Sequence, residues 1–120
     1  MTAERDETFA FEDGVLFRRV VPRRGEPYEH TCTEQVYKDV AYAIEQLGAA
    51  TFTGEMVRER IDAPFSQVFT ALAFLKERGC IVPAHGRRHR AASDFVYEDA
   101  LIEWHALREK GPADPAFGYE

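Results

Sequence analysis

The sequence predicts an α+β protein, mostly helical. The expected parts are a three-helix core, a β-hairpin after the third helix, an N-terminal β-hairpin and a C-terminal helix. Three observations predict it. Apolar residues recur at helical spacing in separate stretches, glycines punctuate those stretches, and two turn signals join short extended runs. The most organised stretch runs from Pro64 to Ala92 (PFSQVFTALAFLKERGCIVPAHGRRHRAA). Val68, Leu72 and Leu75 fall on one helical face, at i, i+4 and i+7. Gly79 suits a helix stop, because glycine readily takes the left-handed conformation. Cys80-Ile81-Val82 then reads as a strand and His85-Gly86 as a turn. Arg87, Arg88, His89 and Arg90 put positive charge beyond it.

Taken in order, residues 1–8 are polar and are expected to be disordered. A single domain is expected over 9–111, with a flexible tail over 112–120. Phe9 to Val21 reads as a hairpin turning at Asp13-Gly14, a pair that tolerates the positive φ such turns need. Arg23 to Pro27 is expected as a loop. Thr31-Cys32-Thr33-Glu34 matches a capping box for a helix reaching about Leu47, with Val36, Val40, Ile44 and Leu47 as its apolar stripe. Thr53 can cap a short helix over 54–61, and Pro64 suits the first turn of the next. Ser93 or Asp94 can cap a last helix over 95–110, with Val96, Ala100, Trp104 and Leu107 inward.

Composition narrows the function classes. The 120 residues carry a formal net charge of −6, which argues against non-specific coating of nucleic acid. No apolar run approaches the ~20 residues of a membrane helix, and the acidic start lacks the features of a signal peptide, so a cytoplasmic location is expected. Cys32 and Cys80 form no C-x-x-C pair and read as small buried hydrophobes. His85, His89 and Cys80 match no defensible zinc spacing, and no phosphate-binding glycine loop is present. The expectation is therefore neither an enzyme nor a cofactor or metal binder.

The run Gln67-Val68, Ala71-Leu72, Leu75-Lys76-Glu77-Arg78-Gly79-Cys80-Ile81 resembles the recognition helix and following strand of small bacterial regulators of the MarR and PadR type. Residues 34–92 thus resemble a winged helix-turn-helix domain. The resemblance implies a transcriptional regulator that contacts double-stranded DNA through the third helix and a basic wing. Carried over, Ser66, Gln67 and Thr70 would read bases, and Arg87, Arg88 and Arg90 would hold phosphates. Arg18, Arg19, Arg23 and Arg24 would add phosphate contacts.

Two further expectations belong beside that one. The third helix carries no cation at the middle of its outward face, and Phe69 and Phe74 flank that face. A winged-helix module that binds protein rather than DNA is the alternative. Leu101, Ile102 and Trp104 widen the apolar surface of the last helix, and a homodimer could form there.

Overall fold

The structure, a computed structural model, describes residues 5–110. Strands β1 (Arg5–Glu12), β2 (Val15–Pro22) and β3 (Tyr28–Thr33) come first, followed by helices α1 (Glu34–Leu47), α2 (Gly54–Glu59) and α3 (Phe65–Glu77). Strands β4 (Ile81–Pro83) and β5 (His89–Ala91) and helix α4 (Val96–Glu109) complete the chain. The fold is α+β, with four helices and two small antiparallel sheets, ordered β1-β2-β3 and β4-β5.

The first sheet departs from expectation at both ends. β1 begins at Arg5, so residues 5–8 form strand where disorder was expected; residues 1–4 and the tail expected at 112–120 lie outside the described residues. Glu7 pairs with Val20 and Thr8 with Arg19, so backbone pairing holds this polar segment in the ladder. The turn is as expected, with positive φ at Asp13 and Gly14. β3 was not expected. Its Tyr28-Glu29-His30-Thr31-Cys32-Thr33 run buries only Cys32, which lies opposite the buried Leu16 of β2.

The helices start and stop for local reasons. Thr33, not Thr31, caps α1: its Oγ1 accepts from the Val36 N–H at 3.3 Å. Thr53 caps α2 in the same way, accepting from Met56 N–H at 3.2 Å, although α2 ends at Glu59, two residues short of the expected end. Gly79 closes the turn after α3 with φ +78°. At α4 neither Ser93 nor Asp94 is the cap residue, which is Phe95. Ser93 still organises the entry. Its hydroxyl accepts from Phe95 N–H at 3.1 Å and donates to the Asp99 carboxylate at 2.6 Å.

One core joins sheet and helices. Phe11 of β1 meets Trp104 of α4 edge-on at 4.9 Å, and Trp104 packs on Tyr37 of α1 at 4.7 Å. Phe9 of β1 meets Phe74 of α3 edge-on at 5.2 Å. The Tyr37 hydroxyl donates to the Ala100 carbonyl at 2.7 Å, so this buried phenol tethers α1 to α4. Trp104 is only 1% exposed, which removes it from any partner surface. Leu101 is half-buried, so Ile102 is the strongly exposed member of the trio proposed for dimer contact.

Candidate functional site: a groove beside the third helix

Helix α3 buries two faces. Val68, Ala71, Leu72 and Leu75 join the common core. Gln67, Thr70 and Phe74, at i, i+3 and i+7, form a second face associated with the first sheet. On it, the Gln67 carboxamide oxygen accepts the Thr33 N–H at 3.1 Å, and Phe74 meets Phe9. Thr70 is 1% exposed, and its hydroxyl donates to the Ser66 carbonyl one turn back at 2.7 Å. That internal bond lets a polar side chain sit in the core.

The expected base-reading trio is therefore corrected. Thr70 is buried, Gln67 ties α3 to the end of β3, and only Ser66 is exposed. Phe74 is fully buried and unavailable to thymine methyls or to a partner. What α3 leaves open is a stripe running from Phe65 through Phe69 and Ala73 to Lys76 and Glu77.

That stripe lines a groove of about 840 Å³. Its second wall is the segment Phe52-Thr53-Gly54-Glu55 with Ile81, Arg87 and His89 of the second hairpin, and its third is Glu7 and Arg18 of the first sheet. The rings of Phe65 and Phe69 stack at 4.3 Å between centroids, and Phe65 is 50% exposed. Gly54 leaves room for the Phe69 ring at this wall. A Cβ there would stand 2.6 Å from the Phe69 ring, too close for any real contact, so a side chain at 54 would push the ring from its seat.

The arginines divide sharply. Arg88 donates from Nε to the Thr51 hydroxyl at 2.7 Å and from Nη2 to the Thr51 carbonyl at 3.0 Å. It holds the second hairpin to the segment after α1, so its guanidinium is engaged within the fold and not free for phosphate. Arg18, between the fully buried Leu16 and Val20 along the inner face of β2, bonds the Glu7 carboxylate. Its side chain is 12% exposed, so its charge is already met by a carboxylate. Arg19 lies on the opposite sheet face and reaches Glu29 at 3.7 Å. Arg23 and Arg24 are exposed in the β2–β3 connection. Arg87 and Arg90 are exposed and make no ion pair among the described residues.

His89 is fixed by its backbone, which exchanges hydrogen bonds with Phe52 at 2.7 and 2.8 Å. The ring is only partly covered, yet Nε2 is shielded and has no hydrogen-bond partner among the described residues. Loss of hydration, followed by the nearby Lys76 ammonium, lowers its pKa from the ordinary imidazole value. Burial pushes the Cys32 thiol up to about 12 and the Cys80 thiol up to about 11, so neither is primed as a nucleophile. Among the described residues no group of three or more His, Cys, Asp or Glu is placed to hold a metal ion, and no helix is long and apolar enough to cross a membrane.

The groove was only partly visible in the sequence. Phe69 was singled out there; Phe65, Gly54, Lys76 and Glu7 were not. The available signal was Phe65, an aromatic one turn before Phe69 and off the main apolar stripe. Compared with protein-family models, with curated proteins and with solved structures, the chain matches none.

Proposed function

We propose that this chain is a protein-binding module of winged-helix type, in which the open groove beside α3 receives a segment of a partner protein. The order of three helices, hairpin and helix supports the winged-helix reading. The observation that carries the functional reading is the composition of the groove. Stacked, half-open aromatics form its floor, while carboxylates as well as cations stand on its walls. At about 840 Å³ the groove is within the size range of ligand-binding clefts, and its lining mixes apolar with charged side chains. A phosphate backbone would meet Glu7, Glu55 and Glu77 here. A polypeptide, with apolar side chains and charges of both signs, suits the lining better.

A selection tests this. Random decapeptides displayed on phage are panned against the intact chain and against its Phe65→Asp variant. Enrichment on the first and not on the second is the expected result. Equal enrichment on both places binding elsewhere and defeats the proposal.

The rival reading, a DNA-binding transcriptional regulator, rests on Arg87 and Arg90, exposed on the second hairpin without ion pairs among the described residues. With the exposed Lys76 of the groove lining they would offer three phosphate contacts. Three phosphate contacts would give a log–log salt slope of about −3 for duplex DNA. We expect no such binding at physiological salt. Micromolar affinity for random duplex, lost in an Arg87→Glu, Arg90→Glu variant, would restore the rival. Of the surface expected for a homodimer, Ile102 on α4 remains exposed, as does Phe95 at the helix N-cap.

A further inference from the structure

The groove has a polarity, and this inference rests on its being a peptide site. One stretch of the α3 stripe is aromatic, with Phe65 and Phe69 stacked on each other. Seven residues beyond Phe69, on the same helical face, comes Lys76, exposed and without an ion pair among the described residues. The second hairpin contributes Arg87 to the same lining, likewise without an ion pair among the described residues. Of the other cations at the groove, Arg18 is already met by Glu7, and Arg58 lies against the Phe65 ring, its guanidinium 5.3 Å from the centroid.

We propose that the groove recognises a peptide segment carrying an aromatic or large aliphatic side chain for the Phe65–Phe69 floor and, three residues further on, an Asp or Glu for Lys76 and Arg87. The spacing follows from geometry. Seven helical residues separate Phe69 from Lys76 by about 10 Å along the axis. An extended peptide covers that distance in three residues, at about 3.3 Å each. The charge follows from what is left over. The lining holds two cations without an ion pair among the described residues, Lys76 on α3 and Arg87 beside the second hairpin's turn. The proximity of Lys76 and His89 fits this juxtaposition, since the ammonium field reaches the imidazole.

Glu77 is the one groove carboxylate directly beside Lys76 in sequence, and it forms no ion pair with Lys76 or Arg87 among the described residues. It competes with a peptide acid for the same field. Acid-bearing peptides should therefore bind more tightly to a Glu77→Gln variant.

The sequences recovered from the phage selection test the inference separately from the function. The expected pool pairs an apolar residue with Asp or Glu at the third position after it. Panning on Lys76→Glu should change that position to Lys or Arg, because a like-charge contact is a strong discriminator. A synthetic peptide from the wild-type pool, read by fluorescence anisotropy, should lose about fivefold in affinity when its acid becomes the amide, the scale of an exposed ion pair. An enriched pool with apolar residues but no acid at that position, or no switch on Lys76→Glu, overturns the inference and leaves the peptide site standing. A pool no richer than that on Phe65→Asp overturns both. Tighter binding to Glu77→Gln supports the charge assignment; weaker binding contradicts it.

Discussion

His89 shows how a single residue can serve two purposes, one through its backbone and one through its side chain. Its backbone exchanges hydrogen bonds with Phe52, so the hairpin needs residue 89 in place, whereas its ring lines the groove with Nε2 shielded. Desolvation and Lys76 hold the folded-state pKa below the ordinary value of about 6.5. The unfolded chain therefore takes up the proton first as pH falls, so stability declines below pH 6.5 and the loss is complete once pH drops below the folded value. The denaturation midpoint should fall between pH 7 and 5.5, and His89→Gln should flatten that part of the profile. An unchanged slope in the variant would assign the effect to other groups. Neither the shielded Nε2 nor the burial of Thr70 could be read from residue type. Thr70 looks like a surface residue until its hydroxyl is seen donating to the Ser66 carbonyl.

Among the elements, the second hairpin gives the clearest contrast between sequence and structure. Arg87, Arg88 and Arg90 form one basic cluster in the sequence, yet only Arg88 turns inward, to the Thr51 hydroxyl and carbonyl. Arg88→Ala should destabilise the protein by about 1–2 kcal/mol, because charge-assisted bonds at a partly buried site are lost. Arg87→Ala and Arg90→Ala should stay within about 0.5 kcal/mol, as exposed substitutions usually do. Urea denaturation of the three variants checks this, and equal losses in all three would mean that Arg88 does not pin the hairpin. The four helices and both hairpins were legible because apolar period and glycine punctuation are local signals. β3 was not, since its six residues bury one side chain and its place depends on pairing with β2. The second buried face of α3 was hidden for the same reason: Gln67 and Thr70 are polar, and only the sheet that abuts them reveals that they are not free. Much of the groove was illegible too, because Glu7, Gly54, Lys76 and His89 come from separate parts of the chain and meet only after folding.

The whole molecule stands or falls with the contact between the first sheet and the helices. A small sheet is marginal alone and needs a packed face. Here that face is supplied by Phe9, Phe11, Leu16 and Cys32, which cluster with Tyr37, Phe74 and Trp104. Stripped of the sheet, the helices would bare much of that ring cluster to water, each ring carrying on the order of 150–250 Å² of burial. Neither half should persist alone, so unfolding should be a single cooperative transition. Trp104 is the one tryptophan in the chain and touches Phe11, so its fluorescence reports the sheet–helix contact, while far-ultraviolet circular dichroism reports the helices. The two denaturation curves should superimpose. Helical signal surviving past the fluorescence change would mean that the helices fold without the sheet. The groove shares this dependence, since Glu7 and Arg18 form one of its walls. A bound peptide should therefore move both curves to higher denaturant together, by an amount that grows with the logarithm of its concentration above the dissociation constant.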